Sequence, residues 1–224
     1  MIYLNVLVEG YAEKGFIESI VADHLGRFCV SAVAACFQTK FDSDLGKKYK
    51  GGVVSYSQVR RDLSTWMKQD RRDDCRFTTM IDVYGIGDDF PGFREAMKQR
   101  DPYEKVRTLE TALCEEIQDR RFIPYFQLHE FEALIFADPA KLEMEYLEYG
   151  KEITSLVTLS ADTPPERIND NPSTSPSHRI KKLIPPYDKY YAGSRITELI
   201  GLETIRQRCP HFNEWLTKLE GLNS

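Results

Sequence analysis

Three short apolar runs along the chain each end beside acidic or histidine side chains. The runs cover residues 2–8, 76–84 and 122–128. Glu9 follows the first run, Asp82 lies near the end of the second, and His129 follows the third. Near-continuous apolar runs of this length are typical of strands in a parallel sheet that is covered on both faces. We therefore predict three buried strands whose carboxyl ends carry ionisable groups.

Segments with apolar residues at helical spacing separate these runs. They cover about 12–28, 55–69 and 103–119, and a further short apolar run at 30–37 predicts another strand. This alternation predicts an α/β fold with a Rossmann-like parallel sheet flanked by helices. The alternation stops after residue 139. We therefore predict an α/β core over residues 1–139 and a small helical C-terminal extension over 140–224 that packs on it.

Acidic side chains at neighbouring strand ends indicate a metal site. Ligands of open α/β sheets bind just beyond the carboxyl ends of the strands. The candidate ligands and catalytic groups that share this position are Glu9, Glu13, Asp82, His129, Glu130 and Glu132. Carboxylate oxygens suit Mg²⁺, and Mn²⁺ also tolerates an imidazole ligand. A bound cation of this kind supports hydrolysis of a phosphodiester.

Each of these residues also has a structural interpretation. Glu13, Glu130 and Glu132 lie near predicted helix starts, where carboxylates favour the helix dipole. The structural alternative for His129 is a buried core histidine whose ring nitrogens form hydrogen bonds within the protein. Glu9 and Asp82 adjoin buried strands, and a carboxylate in such a place needs a partner. Gly10, at the first strand-to-helix turn, lets backbone N–H groups approach a ligand closely.

Two basic segments are candidate contacts for phosphate. The first is a glycine-containing loop with Lys40, Lys47, Lys48 and Lys50, and the second is a short helix with Arg179, Lys181 and Lys182. A solvated surface loop is the alternative for the first segment. The chain has 30 basic and 35 acidic residues, a net charge of −5. This net charge argues against binding to nucleic acid through the global charge of the protein, but not against local basic patches.

Cysteine usage predicts a location in the reducing cytoplasm. Its five cysteines are odd in number, widely spaced and without a C-x-x-C pair, which argues against a zinc ribbon or a disulfide framework. No signal peptide and no apolar run long enough to span a bilayer are expected. The chain also lacks the G-x-S-x-G of serine hydrolases, the Walker A motif, and a G-x-G-x-x-G after the first strand.

The motifs at the strand ends resemble those of the Toprim fold. Residues 8–13 read V-E-G-Y-A-E, which is similar to the Toprim V-E-G-x-x-E signature, and Asp82 begins a segment similar to its D-x-D signature. The chain as a whole resembles a bacterial family of uncharacterised Toprim-like proteins. That resemblance is carried by H-E-F-E-A-L-I-F at 129–136, S-P-S-H-R-I at 175–180 and C-P-H-F-N-E-W at 209–215.

The resemblance implies a Toprim-like sheet in which Glu9 is an acid or metal-linked residue and Asp82 a metal ligand. Toprim domains occur in topoisomerases, primases and nucleases of the overcoming-lysogenization-defect type. Tyr84 stands where the D-x-D motif has its second aspartate, so that a ligand is missing or comes from Glu130 or Glu132. Members of the family look like companions of ABC- or SMC-type ATPases in phage defence.

Three functions remain open at this point. The first is a Mg²⁺- or Mn²⁺-dependent nuclease in which Glu9, Glu13, Asp82 and Glu130 bind metal, while His129 or Glu132 ligates or acts as acid or base. The second is a non-catalytic module that regulates an ATPase subunit, which Tyr84 favours. The third is hydrolysis of a nucleotide or another small phosphate ester. Nucleic acid, the ATPase and a second copy of the chain are the expected partners.

Overall fold

A five-stranded parallel sheet lies at the centre of the protein. The computed structural model describes residues 1–37, 54–168 and 174–224. Its strands are β1 Ile2–Val8, β2 Val30–Cys36, β3 Cys75–Asp82, β4 Phe122–Ile123 and β5 Phe126–Gln127. Their order is β2-β1-β3-β4, and β5 pairs with the end of β3. All pairs are parallel, so the carboxyl ends of the strands lie at one edge.

The register brings the predicted strand ends together. Val8 at the end of β1 lies opposite Met80 of β3, and Asp82 at the end of β3 lies opposite Gln127 of β5. Glu9 and His129 therefore leave the sheet on either side of Asp82. This geometry is what the positions of the apolar runs predicted.

The third predicted strand is divided in two by Pro124 and Tyr125. Proline has no N–H to donate to a strand ladder. Across the gap, the Thr79 hydroxyl donates to the Tyr125 carbonyl at 2.9 Å and accepts from the Tyr125 N–H at 3.0 Å. A buried threonine thus substitutes for the missing ladder bonds and keeps β4 and β5 on β3.

Ten α-helices surround the sheet in the described part of the chain. They are α1 Tyr11–Phe16, α2 Ala22–Gly26, α3 Tyr56–Gln69, α4 Phe93–Ala96, α5 Pro102–Ile117, α6 Gly150–Ser160, α7 Pro176–Leu183, α8 Lys189–Ile200, α9 Leu202–Arg208 and α10 Pro210–Glu220. A π-helical turn joins α1 to α2, so the two form one continuous helix. Short 3-10 helices cover Val83–Gly85, Phe131–Ala137, Pro139–Met144, Leu147–Tyr149, Pro165–Arg167 and Gly221–Asn223.

Two of these helices differ from the sequence prediction. Within the predicted helical C-terminal extension, the apolar positions from Ile196 to Ile205 predict one helix, but Gly201 adopts a φ of 84° and separates α8 from α9. Glycine reaches this backbone region without steric cost. The segment after His129 forms a 3-10 helix rather than an α-helix.

Apolar clusters cover both faces of the sheet, which confirms the predicted α/β class with its additional C-terminal helices. On one face, Val59 of α3 and Leu109 of α5 are fully buried. On the other, the Phe16 ring of α1 packs against Phe131 at 5.6 Å and against Phe212 of α10 at 5.7 Å. The C-terminal helices therefore share a core with the first helix. The division at residue 139 stays a prediction.

Buried polar contacts tie α10 to the sheet and to α5. Trp215 Nε1 donates to the Thr78 hydroxyl at 3.0 Å, and its ring stacks on Tyr125. His211 Nε2 lies 3.0 Å from Glu110 Oε1. Burial disfavours the imidazolium, but the hydrogen bond and charge of Glu110, with the charges of Glu166 and Glu214, outweigh it and raise the pKa of His211.

All five cysteines are free. Among the residues described, no helix has the length and apolar character that a membrane crossing requires.

Candidate functional site

Four carboxylates meet at the carboxyl edge of the sheet. Glu9 follows β1, Glu13 lies in α1, Asp82 ends β3, and Glu132 lies in the 3-10 helix that follows β5. The side chains of Glu13, Asp82 and Glu132 are almost completely buried. We refer to these four residues as the acid cluster. Sequence reasoning named all of its members, and the fold brings them together.

Lys189 provides a positive charge within the acid cluster. Its Nζ lies 2.7 Å from Glu13 Oε1, 3.3 Å from Asp82 Oδ2 and 3.6 Å from Glu132 Oε2. Lys189 is the first residue of α8, where a cation opposes the helix dipole. The attraction of three carboxylates therefore decides its position. Sequence reasoning missed this residue, because nothing local distinguishes it from the other lysines.

Burial, and after it the excess of carboxylates over the ammonium, raises the pKa values of these acids. Burial raises the pKa of Glu9 to about 7, and the charges of Glu13 and Glu132 add to the rise. Lys189 and a backbone hydrogen bond from Asp82 act in the opposite direction. Burial and the neighbouring acids likewise raise the pKa of Asp82 well above its usual range, against the effect of Lys189.

Glu132 and Lys189 also affect each other's pKa values. Burial is the main cause of a raised pKa at Glu132, with the charges of Glu130 and Glu13 adding to it. Burial by itself would lower the pKa of Lys189, but the surrounding acids raise it well above the ordinary value. Lys189 is therefore a firmly charged ammonium.

Two glycines leave room for the acids. A Cβ at Gly85 would lie 2.7 Å from Glu9 Oε2, a distance that side chains do not tolerate. A Cβ at Gly10 would lie 3.0 Å from Glu13 Oε2. The glycine predicted to admit a ligand is thus also the one that admits the Glu13 carboxylate.

The oxygen atoms of the four side chains in the acid cluster are the kind of ligand that a hard divalent cation prefers. All four groups offer oxygen, their combined charge exceeds that of Lys189, and Asp82 Oδ1 is buried without a hydrogen-bond partner among the described residues. In the same described residues, however, no group of three or more His, Cys, Asp or Glu side chains is arranged as a set of metal ligands. The Lys189 ammonium stands between three of the acids.

Other predicted site residues lie elsewhere or make other contacts. Glu130 Oε2 accepts the Ser177 N–H at 2.9 Å, at the start of α7. Arg179 of the same helix donates from Nε to the Thr174 carbonyl at 2.6 Å, and Lys182 is exposed. The remaining phosphate-contact candidates lie outside the described residues; they are Lys40, Lys47, Lys48 and Lys50.

His129 lies two residues beyond Gln127, which pairs with Asp82, and it lines a cleft together with Tyr84. It is 7% exposed, and its ring centroid lies 5.7 Å from that of Tyr84. Its carbonyl accepts the Tyr84 N–H at 3.1 Å. Tyr84 occupies the position of the second aspartate in the D-x-D pattern. Its side chain lines the cleft, and it does not supply the carboxylate that this aspartate would provide.

Comparison with known proteins identifies a family. Over residues 8–220 the chain matches the family described as a domain of unknown function, DUF4276. The chain belongs to this family. No curated protein matches it. Among solved structures, the C-terminal region of the Xanthomonas campestris pv. campestris OLD protein is similar with a TM-score of 0.38 and 11% identity, over 96% of each chain. A likeness of this extent supports no inference about chemistry.

Proposed function

We propose that this protein is a divalent-metal-dependent phosphodiesterase that cleaves nucleic acid. The observation that carries the proposal is the acid cluster: four carboxylates at one edge of a parallel sheet, with the Lys189 ammonium as the one cation among them in the described part of the chain. Burying so many carboxylates is unfavourable unless cations compensate them. The resemblance of residues 8–13 to the Toprim signature supports the same function.

In this proposal Glu9, Glu13, Asp82 and Glu132 hold Mg²⁺ or Mn²⁺. A cation of this kind, when bound, lowers the pKa of water and stabilises negative charge on a phosphodiester. Lys189 neutralises part of the charge of the cluster and orients three of its carboxylates. Glu130 is left out of the ligand set because its carboxylate caps α7.

His129 is the proposed proton donor or acceptor on the substrate side of the site. Its imidazole lines the cleft next to the acids and is held against Tyr84. An imidazole can both accept and donate a proton, which suits a general acid or base. The role follows from the place of His129 in the cleft, two residues beyond the partner of Asp82 in the sheet.

A non-catalytic regulatory module is the second candidate. The observation that favours it is Lys189, whose ammonium lies within 4 Å of three acids and acts as a resident counterion. In that case the cluster stabilises the fold without a metal. Five further statements are proposals that rest on the sequence. They are the ABC- or SMC-type ATPase partner, the role in phage defence, self-association, the cytoplasmic location and the domain boundary at residue 139.

The decisive experiment compares Asp82→Asn with Asp88→Asn. Both variants replace a carboxylate by an amide, but Asp88 is exposed in the acidic loop after β3. Calorimetric titration with Mn²⁺ is expected to give binding by the wild type and Asp88→Asn, and none by Asp82→Asn. Cleavage of labelled single- and double-stranded DNA and RNA in Mn²⁺ is expected to follow the same order and to stop in EDTA.

Absence of Mn²⁺ binding by the wild type would refute the enzyme and support the regulatory module. Equal cleavage by Asp82→Asn and the wild type would refute the assigned site. A panel of nucleotides and small phosphate esters separates a nuclease from a small-ester hydrolase. Stimulation of cleavage by an added ATPase subunit and ATP tests the proposed partnership.

A further inference from the structure

A cleft of about 530 Å³, lined in part by His129, lies next to the acid cluster, and its cationic lining residues have no role in the functions considered so far. It lies between the turn that follows β3 and the start of α5, and that volume is in the range of sites for small organic molecules. The lining side chains that can bind a ligand through an aromatic ring or a positive charge are Tyr84, Phe93, Arg100, Lys105, His129 and Arg167. These side chains are aromatic or cationic.

The charge of the cleft is opposite to that of the acid cluster and of the chain as a whole. Arg100, Lys105 and Arg167 line it, and no carboxylate does among the residues described there. Arg167 is held in place, since its guanidinium donates to Asp101 at 2.7 Å and lies over the Tyr103 ring. A guanidinium carries five N–H donors, and the bond to Asp101 uses part of that capacity. The cleft therefore suits an anion with several oxygen acceptors, such as a phosphate.

Tyr84 offers a flat surface beside these cations. It is 38% exposed, whereas His129, tilted by 36° against it, is buried. The imidazole supports one side of the phenol ring. Aromatic rings in such positions stack on nucleobases without selecting among them.

The cleft and the acid cluster are directly connected. The 3-10 helix Val83–Gly85 begins immediately after Asp82 and forms one wall of the cleft. Gly85, at its end, is the residue whose Cβ would collide with Glu9 Oε2. One wall of the cleft therefore begins at a residue of the acid cluster.

We propose that this cleft binds one unstacked nucleotide of a single nucleic-acid strand, with its base on Tyr84 and its phosphates at Arg100, Lys105 and Arg167. The inference rests on the proposed function, because it names the substrate class of the same site. It also gives Tyr84 a role in substrate binding at the position where a metal ligand was expected. A duplex does not fit this assignment, since its bases are paired and stacked.

The test measures binding without metal, in EDTA, by fluorescence anisotropy of a short labelled oligothymidylate. Tyr84→Leu is expected to weaken binding roughly 5- to 150-fold, the range found when an aromatic base-stacking platform is removed. Tyr84→Phe keeps the ring and is expected to bind like the wild type. An abasic strand of the same length is expected to bind wild type as weakly as oligothymidylate binds Tyr84→Leu.

The cationic half of the cleft is tested in the same assay. Arg100→Gln and Lys105→Gln are expected to weaken binding and to reduce its dependence on salt. Arg120→Gln is the matched control, because Arg120 is exposed and pairs with Asp73 at the opposite edge of the sheet. It is expected to leave affinity unchanged.

Three results would overturn the proposal: equal binding by Tyr84→Leu and the wild type, equal binding of the abasic strand and oligothymidylate, or a thymidine mononucleotide that binds as tightly as the oligonucleotide. The outcome is separable from that of the proposed function. Tyr84-dependent binding without any cleavage in Mn²⁺ refutes the nuclease and leaves the cleft. Cleavage that is indifferent to Tyr84→Leu and Arg100→Gln refutes only the cleft.

Discussion

Replacing Lys189 by methionine removes the ammonium from the acid cluster and keeps most of the volume of the side chain. The Nζ atom lies 2.7, 3.3 and 3.6 Å from oxygens of Glu13, Asp82 and Glu132. The acids remain buried, so they lose a counterion without gaining water. Removing one partner of a buried ion pair destabilises a protein by about 3–5 kcal/mol.

The expected loss of stability is measured by thermal unfolding. For a chain of this size, 1 kcal/mol corresponds to about 2–4 °C in the melting temperature, so that Lys189→Met is expected to melt roughly 6–20 °C lower. Lys218→Met is the control, since Lys218 is exposed on α10 and the same substitution there is expected to change stability by no more than about 0.5 kcal/mol.

Added Mn²⁺ makes the experiment diagnostic for the site. A ligand that binds only the folded state raises its stability, by about 2.7 kcal/mol at a concentration of 100 Kd. Mn²⁺ is expected to raise the melting temperature of Lys189→Met more than that of the wild type, because the cation has no ammonium to compete with. Lys189→Met as stable as the wild type in EDTA would refute the view that Lys189 compensates the acids.

Two further predictions concern Glu9 and the buried histidine. Gly85→Ala is expected to displace the Glu9 carboxylate, because the new Cβ would lie 2.7 Å from Oε2, and to weaken Mn²⁺ binding by calorimetry; Gly26→Ala, with nothing within 4 Å, should bind normally. The pKa of His211 is raised, so the stability that its protonated form contributes is present below its unfolded-state pKa and is lost as pH rises through the folded-state pKa. Glu110→Gln removes the partner charge and should therefore lower the free energy of unfolding more at pH 6 than at pH 9, measured by denaturant titration. Equal Mn²⁺ affinity of both glycine variants, or equal losses at the two pH values, would contradict these arguments.

Much of this site was predictable because strands and helices follow local patterns. The apolar run at 2–8 predicted β1, and its end determined where Glu9 leaves the sheet. Parallel strands have their carboxyl ends at one edge, so Glu9 and Asp82 had to approach each other. Sequence alone therefore determined the fold class and the convergence of carboxylates.

The tertiary structure decided what those carboxylates contact. Lys189 is 107 residues from Asp82 along the chain, and no pattern in the sequence links them. Glu130 and Glu132 are two residues apart, yet one caps α7 and the other is buried beside Lys189. Periodicity specifies which face of an element is buried, whereas the partner of a buried charge depends on how distant elements pack.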